Sequence, residues 1–309
     1  MVTKKVKNMS EQKIDLKRLH SGDESTMISW NGTCPESPSG ERIAYFKMPC
    51  PVDDEARNFT GEIWVCERDF TNHRKVFDMP MCCKGFQHNG GMQMWIDDTR
   101  LAFRATGGND PFGTIYVVDA DTGAQLHNPI ITSHGGIAHY AINNKLLFGI
   151  STIDESEQNR ENYPAIEEPG LYQLDCDTGE VVKIVARETI NDFFRSQGYT
   201  PDENDSFRHV MPNFDITRVM SVWMPKEGTF LLSCNLDGSQ MKFFSKRLLT
   251  HQLWFDNNTY FAVDLEKETM CRYSQDGEKL ETLAGLGNHI DASPDRQWLV
   301  GDTLGGQSP

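Results

Sequence analysis

The 309-residue sequence lacks any apolar run near the roughly 18 residues that a membrane-crossing helix needs. Its basic amino terminus, Met-Val-Thr-Lys-Lys-Val-Lys, runs on into polar residues, so there is no apolar stretch of the kind a secretory leader carries. A cytoplasmic protein without a membrane partner is the expectation. No Gly-rich phosphate loop, HExxH helix, G-x-S-x-G elbow or zinc-finger spacing is present, which removes the commonest nucleotide, metalloprotease and serine-hydrolase signatures. None of the eight cysteines forms a CxxC pair, and the chain is too long to depend on disulfide staples. Basic residues are scarce: Lys and Arg total 30 against 45 Asp and Glu, a net charge of -15. That balance opposes binding to a nucleic-acid backbone. It also repels an acidic sugar unless a local arginine cluster or a metal reverses the field.

What is present is a repeat. His289 enters the segment 285–302, a Ser-Pro-Asp turn follows, and then Trp298-Leu299-Val300 read as a strand. The same order appears before Arg42-Ile-Ala-Tyr-Phe46 and, from His251, before Thr259-Tyr-Phe-Ala-Val263. Further along each unit, Ile115-Tyr-Val-Val-Asp119 and Leu171-Tyr-Gln-Leu-Asp175 each run into an Asp-Thr-Gly reversal. Six unit turns fall near Gly40, Asp98, Asn144, Thr217, Asn257 and Arg296. The shorter spacings match the roughly 40–50 residues of a four-stranded propeller blade.

Each such blade has two apolar faces and must stack on its neighbours, so the period predicts an all-β propeller of about six readable blades. Residues 1–25 read as a polar segment and 26–309 as one propeller domain. Polar insertions are expected at 151–169 and 186–206, the second holding a short helix over 187–197. After Gly301-Asp302 no return strands remain for the sixth unit. The amino-terminal segment could complete that blade; a truncated form of a seven-bladed parent is the preferred expectation.

Five histidines, His88, His139, His209, His251 and His289, precede successive turns, which places each near the start of an innermost strand lining an axial channel. Converging imidazoles can bind a transition metal or move protons near neutral pH. They can equally satisfy buried backbone groups near the axis. Gln87, Asn89, Gln252 and Asn288 flank them as channel or turn hydrogen-bonders. Arg208 can clamp a carboxylate or pair with Asp205 or Asp202; because neighbours on a strand face opposite ways, it reaches one ligand with His209 only if the backbone there is irregular. Arg187 and Arg195 are substrate-contact candidates from the insertion. Trp30, Trp95, Trp223 and Trp254 read mainly as packing, with sugar stacking as the alternative.

With Arg208-His-Val-Met-Pro-Asn-Phe214, Thr250-His-Gln-Leu-Trp-Phe255 and Gly287-Asn-His-Ile-Asp-Ala-Ser-Pro-Asp295 in view, the chain resembles the oligogalacturonide lyases of pectin degradation, seven-bladed propellers. More loosely it is similar to TolB-like and WD40-like repeats. The specific likeness covers about residues 205–302. It implies a divalent metal, commonly manganese, in the channel, with His251 as a metal position; His289, from the histidine series, is the second metal candidate. It also implies a short acidic oligosaccharide as substrate, His209 as the proton-abstracting base and an arginine nearby to hold the carboxylate, for which Arg208 is the candidate here; His88, His139, Arg187 and Arg195 remain substrate or channel candidates from the residue reading. The sequence departs from that family in two places. It ends before any His-Pro-His-Pro stretch, and it carries Val222-Trp-Met-Pro225 where the family has a Cys-His-Glu-type segment. A noncatalytic propeller scaffold or ligand-binding module is the alternative function, since fold alone does not establish catalysis.

Overall fold

The computed structural model describes residues 25–28, 32–49, 58–82, 90–105, 114–131, 136–152, 166, 168–226, 228–243, 249–264, 266–267, 269–283, 289–293 and 295–301. The readings of the polar amino-terminal segment, Trp30, His88 with its neighbours Gln87 and Asn89, Asn288 and most of the first insertion lie outside the described residues.

Among the described residues, six antiparallel sheets follow one another in chain order. The first is β1 Ser25–Met27, β2 Arg42–Met48, β3 Asn58–Glu67 and β4 Arg74–Cys82. The second is β5 Met94–Trp95, β6 Arg100–Ala105, β7 Thr114–Asp119 and β8 Ile130–Ile131. The third is β9 Lys145–Ile150, β10 Gly170–Asp175 and β11 Val181–Ala186; Ile137 bridges Phe148 on the other side of β9. The fourth is β12 Ser206–Pro212, β13 Arg218–Met224, β14 Phe230–Asn235 and β15 Lys242–Phe243. The fifth is β16 Leu249–Trp254, β17 Thr259–Asp264, β18 Thr269–Ser274 and β19 Lys279–Thr282, and the sixth pairs β20 Ile290–Ala292 with β21 Leu299–Gly301. Strands next to one another in sequence pair throughout, and successive sheets pack on one another, β12 against both β9 and β16. The chain is an all-β propeller.

The strands that follow the unit turns, such as β2 and β17, are the second strands of their sheets, because β1 and β16 pair with them on the other side. The second strands carry the longest apolar runs since neighbouring blades cover both their faces: β13 is buried at six of its seven positions, and β17 at five of six. The core accordingly lies between blades. Phe46, Ile63 and Met79 pack with Leu101 and Phe103, while Met220, Val222 and Leu231 pack with Trp254, Tyr260 and Tyr273.

The Asp-Thr-Gly reversals join blades as well as strands. Asp119 accepts hydrogen bonds from the backbone N–H and hydroxyl of Thr122, at 2.7 and 2.8 Å, which closes its turn. Asp121 is then free to reach the preceding blade, where it pairs with Arg42 and Arg74. Asp177 pairs with Arg100, and Asp276 with Lys242, in the same blade-to-blade sense. Gly123 and Gly179 have φ of 72° and 75°, a conformation L side chains adopt at a cost. A Cβ on Gly123 would also lie 2.0 Å from the carbonyl oxygen of Val76 in the first blade.

Within the second insertion lies helix α1, Arg187–Ser196. Its Ile190 and Phe194 are buried, and Phe194 stacks on Trp223 with ring centroids 3.3 Å apart. Tyr199, Phe230 and Phe243 complete an aromatic cluster that fixes the insertion to the fourth blade. Each such pair is worth about 0.5–1.5 kcal/mol beyond burial.

Candidate functional site

The site is built on a backbone irregularity. In the fourth blade Arg208 pairs with Val222 and Met211 with Met220, so His209 and Val210 together face Ser221. In the fifth, Thr250 pairs with Val263 and Leu253 with Phe261, so His251 and Gln252 together face Ala262. These are the same two-against-one bulge. The first residue of each is left-handed, His209 at φ 50° and His251 at φ 51°. A non-glycine residue there costs on the order of 1–3 kcal/mol, and such strain is concentrated at functional positions. In the sixth blade Ile290 faces Gly301 and His289 immediately precedes it, the repeat position of His209 and His251.

Three successive blades thus place a histidine at one repeat position, and the rings form a row. Ring centroids are 6.4 Å apart for His209 and His251, and 4.6 Å for His251 and His289. His139 extends the row from the third blade: its Nε2 lies 3.0 Å from Nδ1 of His209, with the rings at 81°. Ile137 faces Phe148 and Ile142 faces Lys145, so His139 lies on a stretch with two more residues than the strand opposite, and its ring reaches across to the fourth blade. Burial lowers the pKa of His209 well below the ordinary imidazole value, and positive charge on His139, His251, Arg208 or His289 lowers it further. A neutral ring at pH 7 is one that can accept a proton.

The irregular backbone that the sequence reading required between Arg208 and His209 is this bulge. Arg208 is exposed, and its charge acts on His209. The insertion arginines are placed elsewhere. Arg187 is buried and donates to the carbonyl oxygens of Ser151 and Asp202, tying the insertion to the end of β9. Arg195 pairs with Glu188 and Asp192 along the exposed side of α1. Neither joins the row. Trp223 packs under α1, as read from the sequence.

Two residues have a part that sequence reading missed. Trp254 Nε1 donates to the carbonyl of Met211 at 3.1 Å, and Gln252 Nε2 to that of His209 at 2.7 Å, so both tie the fifth blade to the fourth. Trp95 Nε1 donates to Pro35 and Gln93 Nε2 to Met27, tying the second blade to the first in the same way. The signal was the twofold Gln-x-Trp, Gln93-Met-Trp95 and Gln252-Leu-Trp254. Met92, just before Gln93, is left-handed at φ 47° and holds the position that His251 holds in its blade.

For a divalent metal, two imidazoles bound at about 2.1 Å to one ion bring their centroids about 4.5–5.5 Å apart. The His251–His289 separation of 4.6 Å fits such a pair. Imidazole donors suit zinc, iron or copper better than an oxygen-seeking ion such as manganese. Among the described residues, no three His, Cys, Asp or Glu side chains are gathered into a ligand set. Nearby Asp291 has its pKa raised by burial, against the pull of its backbone hydrogen bond and of Arg296.

No protein-family model matches this sequence, and no curated protein matches it. Solved structures do match in shape. The β-propeller domain of the trilobed protease from Pyrococcus furiosus has a TM-score of 0.52 and 14% identity over 85% of this chain and 73% of that one. The Pyrococcus horikoshii acylaminoacyl peptidase has a TM-score of 0.52 and 14% identity over 84% of this chain and 40% of that one. TolB from Acinetobacter baumannii has a TM-score of 0.48 and 11% identity over 84% of this chain, which spans 54% of its length. At such identities the two likenesses above 0.5 speak for the propeller fold and for nothing about chemistry.

Proposed function

We propose that the axial histidine row is a site for a short acidic sugar and that the chain carries out a uronate β-elimination of the oligogalacturonide-lyase type. One observation carries the reading: His209, His251 and His289 stand at one repeat position in three successive blades, in a row with His139. Packing alone gives no reason for repeated imidazoles on a strained bulge.

In this reading the exposed guanidinium of Arg208 holds the uronate carboxylate and offsets the overall negative charge of the protein. His209, neutral through burial, accepts the C5 proton. The C5–H electron pair becomes the C4–C5 double bond, the C4–oxygen bond breaks, and the leaving oxygen takes a proton from water. His251 and His289 would hold a divalent ion, which when bound draws charge from the carboxylate and makes the C5 proton more acidic. The test is the ultraviolet absorbance of an unsaturated uronate from short galacturonides, with wild type and His209→Ala, before and after chelation. Absorbance that His209→Ala abolishes supports the reading. Metal-loaded wild type that releases no unsaturated product overturns it.

A noncatalytic ligand-binding propeller is favoured by a different observation, that no three-residue ligand set is gathered among the described residues. It predicts galacturonide binding, dependent on Arg208, without product.

A further inference from the structure

We propose that His139 is a positioning residue for His209, fixing the hydrogen of that ring on Nδ1 and leaving proton acceptance to Nε2. That His139 sets the tautomer of His209 stands on the contact alone; which nitrogen keeps the hydrogen, and the catalytic consequence, rest on the β-elimination reading.

An Nε2-to-Nδ1 distance of 3.0 Å between two neutral imidazoles accommodates one hydrogen, donated by one ring and accepted by the other. Whichever way it points, the tautomer of His209 is set by His139, just as a second group sets the tautomer of a catalytic or metal-bound histidine elsewhere. A base acting through Nε2 requires the hydrogen on Nδ1, so His139 accepts it. His139 is suited to a positioning role, since it is only 1% exposed.

The contact is also built in from the backbone. Gly136 lies against the bulge of the fourth blade, where a Cβ would come within 2.6 Å of the backbone nitrogen of His209 and 2.7 Å of the Cα of Arg208. This close approach brings His139 within reach of the ring. Gln252 grips the same residue differently, through its carbonyl oxygen. The second blade has an equivalent glutamine bond at Gln93 and a methionine in place of the histidine, so the glutamine belongs to the frame and His139 to the ring.

The experiment reads the nitrogen-15 shifts and two-bond proton couplings of His209 in histidine-labelled protein, at one alkaline pH where the rings are neutral, in wild type, His139→Phe, His139→Gln and Gln252→Leu. Wild type is expected to show the Nδ1–H form. His139→Phe should shift it to a mixture, His139→Gln should restore Nδ1–H through its side-chain oxygen, and Gln252→Leu, which loosens the same bulge, should leave it unchanged. An Nε2–H form in wild type, or a tautomer that His139→Phe does not move, overturns the proposal. If galacturonides are turned over, His139→Phe should lower kcat about tenfold or more with KM little changed. Turnover with an unmoved tautomer removes only the positioning role. A His139-dependent tautomer without turnover keeps that role and removes the lyase reading.

Discussion

The second and fifth blades are two copies of one frame. Both begin with a left-handed residue, Met92 or His251; both follow it with Gln-x-Trp; and in both the glutamine and the tryptophan donate to carbonyls of the blade before. They differ at the left-handed position itself, where a thioether packs against the core in one and an imidazole joins a row of imidazoles in the other. The strained backbone is therefore a property of the fold, present whether or not chemistry uses it. Strain alone does not mark the site; the residue type standing on the strain does.

The sharpest way to break this comparison is to make the fifth blade resemble the second. His251→Met should lower turnover of galacturonides by about a hundredfold or more, as expected for removal of a group acting on the reacting centre, while thermal unfolding stays within a few degrees of wild type. Met92→His, the converse, should add no activity. Next in size is Gly136→Ala, which drives a Cβ into the backbone of Arg208 and His209 and should cost about 1–3 kcal/mol in urea unfolding. Trp95→Phe and Trp254→Phe each leave a carbonyl without its indole donor, so each should cost about 1–3 kcal/mol, and by similar amounts if the two frames are equivalent.

A smaller effect separates the blades by pH. The folded-state pKa of His209 is depressed, so the unfolded chain binds more protons between that value and the ordinary imidazole value of about 6.5. Its contribution to stability is whole above pH of about 6.5 and is lost as the solution is acidified through the window below. His209→Asn, a residue that tolerates the left-handed conformation, should flatten the pH dependence of urea unfolding there, and Met92→Asn should not. Smallest of all, Met92→Gly and His251→Gly should each relieve strain by up to about 1 kcal/mol.

Much of this was legible in the sequence because it repeats there. The Asp-Thr-Gly turns, the second strands and the short helix after Ala186 follow from turn chemistry, apolar runs and a period, all of them local. The histidines were legible as a set, but the bulge that puts His209 and His251 at one repeat position was not, since distance from a turn does not show where a strand carries an extra residue. A bulge leaves no mark in composition: Val210 and Gln252 occupy one bulge position with unrelated side chains. The partners of the insertion arginines were hidden for a related reason: the carbonyls of Ser151 and Asp202 reach Arg187 only through the fold.

The ion pairs between blades carry a consequence for how neighbouring blades part. Asp121, Asp177 and Asp276 sit on exposed outer turns, where ionic strength near 0.1 M shortens electrostatic reach to about 10 Å. The ties made by Trp95, Trp254, Gln93 and Gln252 are neutral and buried, out of reach of that screening. Added salt therefore slackens neighbouring blades at the circumference first, while the hub keeps its spacing.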